Sequence, residues 1–169
     1  LNFTWVNNET GVVWNLKLAE QIKKETGCIV HVDSAQAVGK ISDWNQLSSV
    51  LDFYTFSGHK FGAMKGVGFT LCLNNSKFDP LLVGGGQQNK MRSGTENILG
   101  IYSIKLAMEH LLKSANYDKL ESIKLNLENN ISSFLGTKGE IVSINSPSRN
   151  NNTIYFIIYG VQASILLTA

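Results

Sequence analysis

Phe53-Tyr54-Thr55-Phe56-Ser57-Gly58-His59-Lys60-Phe61-Gly62-Ala63-Met64-Lys65-Gly66-Val67-Gly68 is the stretch on which the fold turns. Its first four residues are aromatic and β-branched, as in a buried strand. A second strand is expected over 67–73, with Ser57-Gly58-His59-Lys60 opening the loop between them. Closely spaced glycines follow the lysine, and backbone without a Cβ can approach a ligand closely. A lysine amine at a strand end, in a partly dry pocket, can lose its proton and attack a carbonyl carbon. A solvated loop lysine accounts for the tetrapeptide alone equally well.

Working upstream, Cys28-Ile29-Val30 leads into His31-Val32-Asp33-Ser34-Ala35-Gln36. The β-branched run predicts a strand over 28–32 that ends at Asp33. In open α/β sheets, ligands bind beyond the carboxyl ends of the strands. An aspartate at one strand end and a lysine at another could therefore share one ligand. Pyridoxal phosphate uses that pair, a lysine for the Schiff base and an acid for the pyridinium nitrogen. Taken alone, Asp33 would also suit a helix N-cap.

Four blocks carry a closer resemblance: Val6-Asn7-Asn8-Glu9-Thr10-Gly11, the His31 to Gln36 block with Val38-Gly39-Lys40, Ser57-Gly58-His59-Lys60, and Met91-Arg92-Ser93-Gly94-Thr95. In this order they resemble the cysteine desulfurase family, pyridoxal-phosphate enzymes of the class V aminotransferase fold. The Arg-Ser-Gly-Thr-Glu wording is similar to the nitrogen-fixation and iron–sulfur-assembly branch. The resemblance implies an α/β, fold-type I architecture. Residues 1–114 would be a partial cofactor-binding large domain, and 115–169 the start of a truncated small carboxyl-terminal domain.

The resemblance also assigns roles. Lys60 would be the catalytic lysine that bonds the cofactor aldehyde. Ser57 and His59 would reach the cofactor phosphate, and Asp33 would keep the pyridine nitrogen protonated. Gln36 and Asn8 would touch the phenolic oxygen, with Asn7 the less suited of the two neighbouring asparagines. Thr95 would reach across a homodimer interface to the partner's cofactor phosphate. The implied reaction removes sulfur from L-cysteine, giving alanine and an enzyme persulfide. An iron–sulfur scaffold protein or another sulfur acceptor would take the sulfur. Met64 stands where the family usually has proline, so a looser lysine loop is expected.

Some family features have no counterpart in the chain: a ring-stacking histidine, a threonine in the first phosphate loop, a nucleophilic cysteine on a mobile loop and a substrate-carboxylate arginine. An interior fragment, inactive alone, is the expectation. A non-catalytic remnant or interaction module pairing with a full-length partner is the alternative. Another class V lyase or aminotransferase is a third reading, against which the Arg92 to Thr95 block argues.

Composition narrows the classes. The chain has 169 residues, 43% of them apolar and 17% charged, so a globular core is expected rather than disorder. A net charge of +2 is too small to argue for nucleic acid or an anionic membrane. No apolar run approaches the roughly 20 residues that span a bilayer, and no signal peptide is read at the start. The two cysteines, Cys28 and Cys72, fall inside predicted strands and are expected to be buried, reduced thiols. There is no zinc spacing, and no metal is expected. A reducing, cytoplasmic compartment follows.

The remaining elements follow from periodicity. A strand over 3–6 and a polar turn precede a helix from Asn15 that carries Leu16, Ala19, Ile22 and Lys23, with Gly27 as its left-handed stop. Strand, helix and strand suggest a right-handed parallel unit. A short helix is expected within 43–50. Residues 80–86, ending in three glycines, read as a flexible connection. Ser93 and Glu96 have capping-box spacing ahead of a helix with Leu99, Ile104, Ala107, Met108, Leu111 and Leu112. A second helix is expected over Tyr117–Leu135, with Leu120, Ile123, Leu127, Ile131 and Phe134 on one face. Both stripes read as core packing. A loop over 145–152, a strand over 153–158 and an apolar segment over 160–169 complete the chain.

Overall fold

The computed structural model describes residues 1–169 apart from Asn75, Lys77, 143–147 and Ala169. It divides into two units, Leu1–Val6 with Trp14–Ala115, and Asn7–Val13 with Asn116–Ala169. The short segment Asn7–Val13 thus groups with the later residues rather than with its sequence neighbours.

The first unit contains β1 (Asn2–Thr4), α1 (Leu16–Thr26), β2 (His31–Asp33), β3 (Phe53–Ser57), β4 (Gly68–Cys72) and α2 (Ile98–Ser114). The sheet order is β1-β2-β3-β4, with β1, β2 and β3 parallel and β4 antiparallel to β3. Asn15 caps α1, its Oδ1 accepting from Lys17 N at 2.9 Å. Gly27 ends the helix at φ 66°, a left-handed position that glycine adopts without steric strain. The core gathers Trp5, Ala19, Val30, Val32, Leu51, Tyr54 and Phe56.

Three local expectations change. The second strand begins at His31, not at 28, because long-range partners take the backbone groups ahead of it. Val30 N donates to the Asp52 carboxylate at 2.8 Å, and Ile29 O accepts from the Leu1 amino terminus at 2.7 Å. No helix forms over 43–50. There Tyr54 Oη donates to Ser48 O and accepts from Ser48 N, while Asn74 Nδ2 donates to the carbonyls of Ser49, Val50 and Leu51. Side chains from elsewhere satisfy groups that a helix would have paired internally. The cap of α2 is Asn97, whose Oδ1 accepts from Gly100 N at 3.0 Å. Ser93 Oγ instead donates to Val83 O.

The cysteines also depart from expectation. Cys28 lies ahead of β2 and is half-buried, and Cys72 closes β4 and is exposed. Side chains alternate along β4, and Cys72 falls on its open face. The expected stripe of α2 is covered in part: Ile104 is buried and Ala107, Met108 and Leu111 are half-buried, whereas Leu112 and Leu99, the latter 73% exposed, are not.

The second unit contains α3 (Tyr117–Leu135), β5 (Gly139–Ile141), β6 (Phe156–Ile158) and α4 (Ala163–Leu166). The bounds of α3 match the periodicity, but only Leu135 of its residues is buried. β5 pairs with β6 in antiparallel register, so the expected strand over 153–158 is shorter than its apolar run and has a partner that the sequence reading did not supply. Arg149 lies 3.3 Å from Glu128, and Lys124 Nζ donates to Asn150 O at 2.9 Å. Residues 145–147 of the expected loop and Ala169 of the last segment lie outside the described residues. Among the described residues, no helix is long and apolar enough to cross a membrane, and no cluster of three metal-ligating side chains occurs.

Candidate active site

The parallel strands β2 and β3 place Asp33 opposite Thr55. Registered neighbours share a sheet face, and Ser57 lies two residues beyond Thr55, so Asp33 and Ser57 point to the same side. Asp33 Oδ1 accepts from Ala35 N at 3.0 Å, which fixes the carboxylate at the strand end. The side chain is otherwise exposed. On the same face, His31 Nε2 bonds Thr55 Oγ1 at 2.8 Å and His31 Nδ1 bonds Asn2 Oδ1 at 3.2 Å. Thr55 Oγ1 continues to Thr70 Oγ1 at 3.2 Å. This polar row crosses all four strands, and sequence patterning gave no sign of it.

After Asp33 the chain turns back through Ala37 N to Ser34 O and Lys40 N to Ala37 O, both 3.0 Å. The turn sets Gln36 and Lys40 side by side, and Lys40 Nζ donates to Gln36 Oε1. Burial lowers the pKa of Lys40, and the charge of Lys60 lowers it further. Lys60 is therefore within electrostatic reach of the Gln36–Lys40 pair. The sequence reading assigned Gln36 a role and left Lys40 without one. Their separation of four residues was the available signal.

Past β3, Gly58–Phe61 forms a single 3₁₀ turn with Gly58 and Phe61 buried and with His59 and Lys60 exposed. Ser57 Oγ bonds His59 Nδ1 at 3.2 Å. Gly58 N donates to Val67 O at 3.0 Å, and a Cβ on Gly58 would stand 2.8 Å from that oxygen. The turn can close against Val67 only with glycine there. Met64 N donates to Ser103 Oγ of α2 at 3.1 Å, and Ser103 Oγ donates to Gly100 O at 2.7 Å. Proline has no N–H for that bond. The loosening expected from Met64 is thus offset by an anchor that proline could not provide.

Thr95 is exposed ahead of α2, and no hydrogen bond among the described residues joins it to Lys60, Ser57 or Asp33. Asn8 belongs to the second unit. There Asn7 Oδ1 accepts from Glu9 N, Thr10 N and Thr10 Oγ1 at 2.9–3.0 Å. The turn consumes the Asn7 side-chain oxygen, while Asn8 stays exposed.

Comparisons with known proteins identify the family. The family model described as Aminotransferase class-V matches residues 1–169. A cysteine desulfurase of Nostoc sp. is 45% identical over 105 residues, 62% of this chain and 26% of the relative. The cysteine desulfurase NifS of Azotobacter vinelandii is 35% identical over 117 residues, 69% of this chain and 29% of the relative. Among solved structures, a NifS-like protein from Rickettsia africae superposes with a TM-score of 0.86 at 32% identity, covering 99% of this chain and 46% of that one. The matched regions thus span less than half the length of these relatives.

Proposed function

Because the chain belongs to the class-V aminotransferase family, we propose that it is of the pyridoxal-phosphate-dependent cysteine desulfurase type. The observation that carries this reading is the placement of Asp33 and Ser57 on one sheet face at adjacent strand ends, with Lys60 in the turn that follows. The donor set fits the cofactor. It offers a carboxylate for a pyridinium nitrogen, an amine for an aldehyde, a hydroxyl–imidazole pair for a phosphate and amide donors for a phenolic oxygen.

The cofactor, when bound, supplies an electron sink for a substrate carbanion. Asp33 holds the proton on the ring nitrogen. Ser57 and His59 hold the phosphate, and their mutual hydrogen bond orients both donors before binding. Lys60 supplies the amine. Gln36 donates to the phenolic oxygen, and Thr95 serves the phosphate of a second copy in a homodimer. The substrate is L-cysteine and the carbon product alanine. The sulfur must be taken by a thiolate that breaks its bond to carbon, a role for which neither Cys28 nor Cys72 is placed, and the resulting persulfide would pass it to an iron–sulfur scaffold protein or a similar acceptor in the cytoplasm. A second reading, an interaction module that pairs with a complete enzyme, is favoured by the two cysteines, which both lie away from Lys60.

Adding pyridoxal phosphate to the chain should produce an absorption band that borohydride fixes onto Lys60. Lys60→Ala should abolish both the band and the label. A band that survives this substitution, with the label on another lysine, would overturn the assignment.

A further inference from the structure

We propose that Lys40 is a positioning residue of this site, holding the Gln36 amide so that its NH2 group, and not its carbonyl oxygen, is offered to an anionic oxygen of the ligand. The ligand's identity rests on the reading above, whereas the orientation of Gln36 does not.

A glutamine amide presents a donor on one side and an acceptor on the other, and rotation by half a turn exchanges them. An ammonium has three donors and no acceptor. Lys40 Nζ bonds Gln36 Oε1, so the carbonyl side faces the lysine and the NH2 side is left for another partner. An unheld amide would present its oxygen to an anionic ligand part of the time, and that orientation repels. Lys40 thus acts on the ligand only through Gln36.

The backbone under Lys40 is built to hold it. Ala37, Val38 and Ile41 are buried around it. Gly39 adopts φ +72° and packs so closely on α2 that a Cβ would stand 2.9 Å from both Cδ atoms of Leu111. Lys40 itself is half-buried, which limits the paths its stem can take. The charge of Lys60, the amine assigned to the cofactor, also acts on Lys40.

Two measurements on the full chain test this. In the cofactor-free protein, the Gln36 side-chain NH2 resonances should report an ordered amide, and Lys40→Met should make it mobile. Lys40→Arg, which keeps a donor-only partner, should restore order. In titrations with pyridoxal phosphate, Lys40→Met should weaken binding about tenfold and shift the absorption band. Gln36→Ala should weaken binding similarly, and the double variant should be no weaker than either single one. An equally ordered Gln36 amide without Lys40, or losses that multiply in the double variant, would overturn the proposal. If the wild-type chain forms no Lys60-dependent band, the cofactor reading fails, and the amide measurement still decides the role of Lys40.

Discussion

Lys23 Nζ lies 2.5 Å from Asp52 Oδ2 and ties α1 to the residue just ahead of β3. The carboxylate also accepts from Val30 N at 2.8 Å and from Ser76 Oγ at 2.7 Å. Its side chain is only 7% exposed. Removing one partner of a buried pair leaves a charge without compensation. Lys23→Met should therefore destabilise the chain by about 3 kcal/mol, read from urea unfolding at neutral pH. A loss within the error of the fit would mean that the pair contributes nothing.

The same carboxylate makes a pH prediction. Burial alone would raise its pKa, but the bonds from Lys23, Val30 and Ser76, with the Lys23 charge, outweigh burial and hold it below the usual value. A group depressed in the native state binds fewer protons there than in the unfolded chain. Its contribution is complete above the unfolded carboxyl range, about pH 4, and is lost as pH falls through the lowered native value. Asp52→Asn should unfold with a shallower stability loss across that acid range than the wild type. Equal slopes would sink the assignment.

The Lys60 turn depends on a glycine that has no left-handed φ to explain it. Gly58→Ala would press a Cβ against Val67 O, and Ala63 N would lose its alignment on Gly58 O. The expected cost is about 1–3 kcal/mol, with weaker pyridoxal phosphate binding than the wild-type chain gives. Unchanged binding in Gly58→Ala would show that the turn tolerates the shift.

The two thiols should behave differently from each other and from a sulfur nucleophile. Cys72 is exposed and Cys28 half-buried, so a thiol reagent should label Cys72 first in the native chain. Cys72 pairs with Phe53, four residues before Ser57, which is about 13 Å along the strand from the Lys60 end. Cys28 precedes β2 at that same far end. With excess pyridoxal phosphate and L-cysteine, the chain alone should release no sulfide above the free-cofactor background. Turnover that Cys72→Ser or Cys28→Ser removes would make that thiol the sulfur nucleophile.

Leu99, Tyr102 and Leu106 follow helical spacing on α2 and are 73%, 55% and 49% exposed. Uncovered apolar stripes of this kind favour association. Sedimentation should show concentration-dependent self-association, and Leu99→Lys combined with Leu106→Lys should shift the chain toward monomer. A wild-type monomer at all accessible concentrations would contradict this.

Local chemistry was readable from the sequence because its partners lie within a few residues. Asn15 caps α1 through Lys17 N, Gly27 ends it, and the 3.6-residue period gave the bounds of α3. The resemblance to cysteine desulfurases rested likewise on short blocks, and the class V family match spans the whole chain. Where distant groups intervene, only the tertiary structure decided. The Asp52 carboxylate captures Val30 N–H, 22 residues away, and delays β2. Asn74 and Tyr54 take the backbone groups of 48–51 and leave no helix there. Periodicity marked the inner face of α2 through Ile104 and Leu111 but not the exposed apolar row of Leu99, Tyr102 and Leu106. The contact between Lys40 and Gln36 is local, four residues apart, but the charge of Lys60 acts on Lys40 from a turn distant in sequence, and only the folded chain brings it to bear.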